Sequence, residues 1–487
     1  MTPPHTSTTA LAQEVAVIGS GPSGLAAVFR LEQAGYRVRV FESGAKLGRR
    51  MRTFERDGFL IEEGASQIAK SYSSILGILH SAGLSSELLP ASSQLGMLDP
   101  AGKTHNFEVE RIHWDMAMTD IISRSKLMLG KLVIEAVKYR KELDKSDLSK
   151  LTALDGMSAE LYGRQLVGEE VYNNFVDPVV RGFVGTAPAN VSASCMLFVF
   201  ATFMSRQKFF ALRGGVGSYA EMLGRRFDVT LDAEVQGVEE KGSGVELTWR
   251  DQAGVDHVER FQGAVIATLP KQAATIHTKI DPFRREFLAT KIGNASIAAI
   301  QVALDRVPPE TASRIYSTEQ SQKDAILAAS LEHRKLPGRY PEGKSLITLY
   351  ANCSWSLDLL EQDDDLITKK LLDAGTALVP TVGDDILFTH VTRWPYSWMQ
   401  SYPGYWTAMR GFRKAGSGDT RIQLAGDYFC TSTSTPPAPR VSGPLATFSP
   451  TSSHLTQHRK ERTRLCRRRS SFPASELPSP RSPSSSG

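Results

Sequence analysis

Apolar and polar positions near the start of the chain predict a strand, a helix and a second strand in immediate succession. Glu14–Ile18 is a short β-branched run, and Arg37–Glu42 alternates between polar and apolar residues as strands do. Between them, Ser23–Ala34 carries apolar residues at helical intervals. The pattern therefore predicts a compact βαβ unit.

The rest of the chain divides into helical and strand-like blocks. Ile121–Leu143 has apolar residues at helical spacing, which predicts a long amphipathic helix, and further helical pattern continues to Val180. Short β-type runs are then separated by Gly and Asp. These predicted strands are Val229–Val238, Gly244–Trp249, Ala264–Ala267 and Ile422–Ala425.

Residues 451–487 differ in composition from everything before them. Ser, Pro and Arg dominate this segment, and it has no periodic apolar face, so we expect a disordered basic tail. It carries a net charge of +6 in a chain whose formal net charge is +5, which leaves −1 for the other residues. A nearly neutral body gives no reason to expect nucleic acid as a partner.

Cysteine usage and hydropathy predict a cytoplasmic location. The four cysteines (Cys195, Cys353, Cys430 and Cys466) form no CxxC pair, which argues against a disulfide framework and against a structural metal site. The first residues lack the basic and apolar regions of a signal peptide. The longest apolar run, Met196–Met204, is about half of the roughly 20 residues that span a membrane. We therefore expect no transmembrane segment, while peripheral membrane contact stays open.

A glycine-rich turn joins the first predicted strand to the helix. Gly19, Gly21 and Gly24 form a G-x-G-x-x-G pattern, in which the first glycine permits the tight turn and the second lets the backbone approach a pyrophosphate. The third lets helix and strand pack closely, and the helix N-terminus offers N–H groups to phosphates. Glu42, at the end of the second strand, can accept hydrogen bonds from ribose hydroxyls and disfavours NADP. A turn without a ligand is the alternative, but this context favours a dinucleotide, either FAD or NAD.

The segment that follows Glu42 is similar to the flavin-containing amine oxidase superfamily, which includes protoporphyrinogen oxidases and phytoene-type desaturases. In that superfamily an E-x5-GGR-x-x-T segment and a DG-x3-[DE]-x-G segment wrap the FAD pyrophosphate and approach the flavin. The matching residues are Glu42, Gly48, Arg50, Arg52, Thr53, Asp57, Gly58, Glu63 and Gly64. The resemblance implies FAD as the cofactor and Arg50 as one of its ligands. Arg49 replaces a glycine of the pattern, and a positive φ there would cost about 1 kcal/mol or more.

Later segments extend the resemblance over most of the chain. LRGGVGSYAEML (Leu212–Leu223) and GAVIATLP (Gly263–Pro270) resemble a Gly-Gly segment before a helix and a strand that returns to the substrate domain. Val235 stands where the superfamily binds adenine through backbone groups. Gly426 and Asp427, in RIQLAGDYF, correspond to its C-terminal FAD segment, with Asp427 implied to contact ribitol or pyrophosphate.

The resemblance implies an α/β fold in which a Rossmann-type FAD-binding domain is interleaved with an α+β substrate domain. We expect the FAD-binding domain at residues 1–95, 207–275 and 415–450. The substrate domain is expected at residues 96–206, where it is mainly helical, and at 276–414. After Asp427 the superfamily runs into a helix that starts near S-G. Here Ser442-Gly443 is retained, but prolines and the tail replace the helical pattern.

The sequence favours a bulky, largely apolar substrate dehydrogenated by hydride transfer to flavin N5. Many amine oxidases of the superfamily hold a lysine near N5, and our alignment places Ala298 at that position, which favours a porphyrinogen-oxidase-like or desaturase-like enzyme. His390–Trp406 is dense in aromatic residues, as the wall of an apolar pocket would be, although ordinary core packing explains it equally well. The candidate pocket residues are Trp394, Tyr396, Trp398 and Tyr405. No cysteine lies in this stretch, so we expect non-covalent FAD.

Two other functions stay open at this point. A flavin amine oxidase that acts on C–N bonds is the first, and a non-catalytic flavin-binding or interaction protein with a disrupted C-terminus is the second. An aromatic-hydroxylase-type monooxygenase is disfavoured by the Tyr-Phe-Cys sequence after Asp427. The residues assign no catalytic side chain, and they do not distinguish O2 from another electron acceptor.

Overall fold

The computed structural model describes residues 14–99, 101–111, 126–144, 147–317, 326–416 and 421–430. Its strands, in chain order, are Glu14–Ile18 (β1), Arg37–Phe41 (β2), Thr53–Arg56 (β3), Phe59–Glu62 (β4), Ile68–Ala69 (β5), Leu88–Ala91 (β6), Gln94–Leu98 (β7), Thr104–Glu108 (β8), Phe209–Leu212 (β9), Asp228–Thr230 (β10), Glu234–Lys241 (β11), Gly244–Arg250 (β12), Asp256–Phe261 (β13), Gly263–Ile266 (β14), Gly293–Leu304 (β15), Arg314–Ser317 (β16), Ile326–Leu331 (β17), Ser345–Ala351 (β18), Ile386–Gln400 (β19) and Ile422–Leu424 (β20).

Helices lie between these strands. The α-helices are Pro22–Gln33 (α1), Ser73–Ser81 (α2), Lys126–Lys138 (α3), Ala159–Val171 (α4), Asp177–Val184 (α5), Ala193–Met204 (α6), Gly217–Gly224 (α7), Pro270–Ile276 (α8), Pro282–Glu286 (α9), Glu332–Lys335 (α10), Cys353–Leu359 (α11), Asp364–Gly375 (α12) and Tyr405–Ala415 (α13). Tyr172–Val176 and Phe287–Lys291 are single π-helical turns, and short 3-10 turns lie at Ser85–Glu87, Val109–Arg111, Leu148–Lys150, Pro188–Asn190 and Asp427–Phe429.

A five-stranded parallel sheet, in the order β10-β2-β1-β14-β20, forms the first layer. Its central strand β1 places Val15, Ala16 and Val17 at zero exposure, because strands on both sides and helix α1 cover it. Helix α1 buries Leu25 and Val28 in the core of the same unit. The predicted βαβ unit is confirmed, and the carboxyl ends of its strands share one edge with those of β14 and β20.

A seven-stranded sheet, in the order β19-β15-β18-β17-β16-β7-β8, forms the second large unit. Alternation along β15 gives the sheet two different faces. Ala298 and Ile300 pack with helices α11 and α12 on what we call the outer face. Ile297 and Ala299 belong to another core cluster and lie on the inner face, beside Trp394 of β19. Trp394 Nε1 donates to Glu63 O at 2.7 Å, so the inner face is directed toward the segment that follows β4.

Smaller elements complete the fold. Strands β11, β12 and β13 form an antiparallel sheet, β5, β9 and β6 form another, and β3 pairs with β4 as a hairpin. Helices α3, α4 and α6 contact one another in a helical block. No helix of the described residues is long and apolar enough to cross a membrane.

Two predicted elements differ from the structure. The run Val229–Val238 is divided, because Asp232 turns the chain at a φ of 52° and sends β10 to the parallel sheet and β11 to the antiparallel one. The predicted helix Ile121–Leu143 is present in its described part as Lys126–Lys138. The predicted tail 451–487 and Ser442-Gly443 lie outside the described residues.

Candidate cofactor and substrate site

The glycine-rich turn has the geometry that a pyrophosphate needs. Gly19 has a φ of 98°, a conformation that side chains rarely adopt, and a methyl group on Gly24 would overlap the Gly19 carbonyl. At Gly21, by contrast, an added Cβ would have no atom within 4 Å. Helix α1 has no side-chain cap at Gly21, so its first N–H groups are available to an anion. Gly19 and Gly24 therefore leave no room for a side chain, whereas the space beside Gly21 is open to a ligand.

Glu42 lies at the end of β2, and its carboxylate already accepts several hydrogen bonds. Oε2 accepts from Ser20 N at 3.0 Å and from Ser20 Oγ at 2.6 Å, and Oε1 accepts from Gly44 N at 2.9 Å. Only 2% of the residue is exposed. Glu42 therefore orders the turn itself, and contact with a ribose requires Ser20 to share the carboxylate. Ser20, which sequence reasoning missed, belongs to the candidate site; its only signal was its position inside the glycine pattern.

The basic segment after Glu42 is anchored by carboxylates. Arg49 Nε lies 3.5 Å from Glu42 Oε1, and Arg52 Nε lies 2.9 Å from Glu63 Oε2. Arg49 has a φ of 44°, so this position does require the conformation that a glycine adopts at no cost. The strain expected from the sequence is present.

The hairpin β3–β4 joins the cofactor segments to one another. Asp57 and Gly58 both have positive φ and make its tight turn. At its base, Thr53 Oγ1 accepts from Gly217 N at 2.9 Å and Glu62 Oε1 accepts from Val216 N at 2.7 Å. These two acceptors satisfy N–H groups at the start of α7, the helix of the LRGGVGS segment. A side chain at Gly64 would overlap the Arg50 carbonyl, which explains that glycine.

Arg50 and Asp427 meet across a cleft. Arg50 Nη1 lies 2.9 Å from Asp427 Oδ2 and also donates to Ser397 O at 2.9 Å. The cleft between them is lined by Arg50, Leu269, Pro270, Lys271, Ile292, Gly293, Asn294, Tyr396, Ser397, Trp398, Met399 and Asp427. Gly426 is required before Asp427 because the ring of Tyr428 packs where its Cβ would lie. The structure thus brings two predicted cofactor residues next to two predicted pocket residues.

The four predicted pocket aromatics occupy different environments. Tyr396 and Trp398 line the cleft, and Trp398 also rests against Gly185 at the end of α5. Trp394 is half-buried on the inner face. Tyr405 is a core residue rather than part of a pocket wall, because it is fully buried and donates to Tyr428 O at 2.6 Å. Helix α13 starts at Tyr405 and turns it away from the run that precedes it.

Val235 lies on β11 close to the Glu42 end of the parallel sheet. Its side chain is buried, and Ala233, two residues earlier, donates its N–H to Glu42 O at 2.9 Å. The backbone of this strand is therefore near the carboxyl end of β2. Adenine binding by Val235 stays a prediction.

Ala298 does not face the cofactor segments, which corrects the position that the alignment assigned. Its side chain lies on the outer face, and its N–H donates to Ser356 Oγ of α11 at 3.0 Å. The inner positions of β15 at this level are Ile297 and Ala299. Neither face of Gly293–Leu304 carries a lysine, so the absence of the amine-oxidase lysine from this strand does not depend on the alignment.

A buried ionic cluster near the hairpin was not found from the sequence. Lys335 Nζ lies 2.8 Å from Glu332 Oε2 and donates to Ser66 Oγ at 2.7 Å. Glu62 Oε1 lies 3.4 Å from Arg339 Nη2. Burial lowers the pKa of Lys335 to about 8, and the negative charge of Glu332 limits this fall. The ammonium form is therefore retained at neutral pH. The cluster joins α10 and the residues that follow it to the cofactor segment. The sequence did not show that these charged side chains are buried.

We expect Glu62 to make stability depend on pH. Burial raises its pKa from 4.5 to about 7, with Arg339 opposing the rise. Between about pH 4.5 and 7 the folded protein holds a proton that the unfolded chain has released, so the free energy of unfolding falls as pH rises through this window. Glu62→Gln removes this titration, and its melting temperature should fall less between about pH 5 and 7 than that of the wild type.

The control for this measurement is Glu342→Gln, which changes an exposed carboxylate. It should keep the wild-type dependence of melting temperature on pH. Identical pH profiles for wild type and Glu62→Gln would show that Glu62 titrates normally.

The residues present fit FAD. The open position at Gly21, the uncapped start of α1 and the neighbouring Arg50 suit a pyrophosphate, and the cleft beside Tyr396 and Trp398 suits an aromatic ring system. A parallel sheet with a glycine-rich βα turn is the architecture of dinucleotide-binding proteins, FAD-dependent oxidoreductases among them. Among the described residues, no group of three or more His, Cys, Asp or Glu side chains could hold a metal ion.

Comparison with known proteins agrees with this class. A family model for flavin containing amine oxidoreductases matches residues 22–436, and the chain belongs to this family. It is 28% identical over 182 residues to the mitochondrial protoporphyrinogen oxidase of Nicotiana tabacum, a match that covers 37% of this chain and 34% of that protein. It is 22% identical over 432 residues to the coproporphyrinogen III oxidase of Staphylococcus aureus, covering 81% and 90% of the two chains.

A solved putrescine oxidase triple mutant shares the fold, with a TM-score of 0.70 at 14% identity, over 87% of this chain and 94% of that one. The predicted family and the predicted two-domain α/β fold are confirmed. The roles of the individual site residues and the domain boundaries stay predictions.

Proposed function

We propose that this chain dehydrogenates a bulky, largely apolar substrate at a C–C or C–N bond, with non-covalently bound FAD accepting the hydride at N5. The observation that carries the proposal is the inner face of β15, which presents Ile297 and Ala299 and has no lysine. The similarity to porphyrinogen oxidases of tobacco and S. aureus supports the same choice. The amine-oxidase alternative is weakened because it relies on a lysine at this strand.

In this proposal the chain positions the two reactants and excludes water. The start of α1 and Arg50 would hold the pyrophosphate, and the bound FAD would supply the acceptor for the hydride. Trp394, tied to Glu63 O, and Trp398, packed on Gly185, supply flat apolar surfaces for a large ring. No described side chain is assigned as an acid or a base, since the cofactor performs the redox chemistry.

The test is anaerobic stopped-flow reduction of the FAD-loaded protein by two substrate panels. Small polar monoamines form one panel, and bulky cyclic or conjugated compounds, porphyrinogens among them, form the other. We expect the bulky panel to bleach the flavin at least about tenfold faster, because the inner face of β15 lacks a lysine to orient a small amine. Rapid bleaching by small amines alone would overturn the proposal and restore the amine-oxidase function. If neither panel bleaches the flavin, the chain is a flavin-binding protein without this activity.

A further inference from the structure

Arg314 is a cation on the inner face that forms no ion pair with a described carboxylate, although the charge of Glu332 acts on it from beyond ion-pair distance. It is the first residue of β16, where Ile315 is fully buried in the outer core and Tyr316 lies in the inner one. Alternation places Arg314 on the inner face together with Tyr316. Its guanidinium donates to Tyr316 Oη at a long 3.5 Å, and no other described group within ion-pair or hydrogen-bond distance pairs with it.

The nearest buried carboxylate is committed elsewhere. Glu332 follows β17 and is held by Lys335 Nζ at 2.8 Å and by Thr348 Oγ1 at 3.1 Å. Lys335 of α10 is therefore the ion-pair partner of Glu332, and Arg314 acts on this carboxylate only from a longer distance. An arginine remains charged at any physiological pH, so the N–H groups of Arg314 that Tyr316 does not use are available to a group from outside the described chain.

Arg314 lies on the inner face, the side of the sheet that is directed toward the cofactor segments. Arg314, Tyr350 and Tyr72 are each half-buried. Desolvation is the largest influence on the pKa of each of the three side chains. Burial raises the pKa of Tyr72 to about 12, with Cys430 adding to the rise and Arg314 opposing it. Tyr72 precedes α2 and Cys430 follows the Gly426-Asp427 turn, so Tyr72 lies near both Arg314 and the C-terminal cofactor segment.

Further hydrogen-bonding groups lie next to this charge. Ser330 is the direct neighbour of Arg314 across the β16–β17 pairing, and its buried Oγ has no hydrogen-bond partner. An unsatisfied buried hydroxyl costs about 1–3 kcal/mol, so a ligand that pairs with it is favoured. The Tyr350 hydroxyl stays protonated because burial raises its pKa, and it can donate as well. A guanidinium with adjacent hydroxyl donors is the arrangement that recognises a carboxylate.

We propose that Arg314 binds a carboxylate of the substrate, and that this enzyme acts on a bulky apolar molecule that carries at least one acidic side chain. The inference rests on the proposed function in that it places the substrate between the inner face and the cofactor segments. Arg314 is then a specificity-determining residue: it selects and orients the acid while the hydride leaves elsewhere on the molecule.

The experiment compares free acids with their methyl esters as ligands of the FAD-loaded protein. The probes are coproporphyrin III and 1-pyrenebutyrate, each as acid and as ester, with binding followed by quenching of probe fluorescence. Wild-type protein should bind the acids about ten- to hundredfold more tightly than the esters, as a charge-assisted hydrogen bond in a desolvated site provides. Arg314→Met should bind each acid and its ester equally, with FAD content and ester affinity unchanged.

The matched control is Arg306→Met. Arg306 lies in the same half of the chain, but its guanidinium already pairs with Asp384 at 3.2 Å. This variant should keep the preference for acids. Equal affinity of the wild type for acids and esters, or an unchanged preference in Arg314→Met, overturns the carboxylate site. If 1-pyrenebutyrate shows the Arg314-dependent preference and coproporphyrin does not bind, the carboxylate site stands and the porphyrinogen-sized substrate is wrong.

Discussion

Replacing Gly21 by valine is expected to yield a folded protein that no longer carries FAD. Gly21 has φ −65° and ψ 175°, an extended conformation that valine adopts readily, and its Cβ position is open. The backbone conformation and the space around Cβ therefore both accept a side chain at this position. The same open position is the approach path of the pyrophosphate to the start of α1, so the valine occupies the ligand's place.

Flavin content after acid precipitation is the measurement, because acid releases FAD that is not covalently bound. Bound FAD in Gly21→Val should fall by more than about tenfold, while the FAD-free protein loses only about 1 kcal/mol of stability, because valine is a poorer N-cap residue than glycine. Gly383→Val is the control, since that glycine is exposed and its Cβ position is equally open. Normal flavin content in Gly21→Val would show that FAD binds elsewhere. Flavin that stays in the wild-type pellet would show a covalent link.

Local sequence pattern was enough to predict the βαβ unit and its glycine-rich turn. β1 has the same bounds as the predicted strand Glu14–Ile18, and the glycines at 19 and 24 have the geometry that the motif requires. These features are predictable because each depends on residues within a few positions along the chain. The backbone strain at Arg49 was predictable in the same way, because a position that is glycine in the superfamily pattern implies a positive φ.

The substrate half depends on contacts between distant segments, which pattern alone does not contain. β7 pairs in parallel with β16, more than two hundred residues later in the chain, and this pairing gives Arg314 its neighbours. The register of β15 decided that Ala298 faces the helices, and a shift of one residue would have reversed it. The assignment of Tyr405 to the pocket wall failed for a similar reason. The aromatic run that contains it spans the end of a strand and the start of a helix.

The ionic cluster around Lys335 links these two halves. Lys335 is 4% exposed and contacts Ser66 of the segment after β4, while Glu332 lies at the end of β17. The backbone carbonyl of Lys335 also accepts a hydrogen bond from Ser92 N at 2.9 Å. Charges in such a position are stable only as a pair, since each alone would be buried without compensation.

We therefore expect Lys335→Met to destabilise the protein by about 3–5 kcal/mol, because it leaves Glu332 buried beside a single hydroxyl donor, with only the more distant charge of Arg314 to compensate it. The double variant Glu332→Leu/Lys335→Met should recover most of this loss, since two apolar side chains of similar volume need no counter-charge. Lys291→Met is the control: Lys291 is 54% exposed, lies 3.8 Å from Glu286, and should change stability by about 1 kcal/mol or less. The measurement is urea unfolding of the FAD-loaded proteins at neutral pH, where Lys335 is charged. Single and double variants of equal stability would show that Lys335 packs through its aliphatic chain, and that its charge does not stabilise the contact between the two halves.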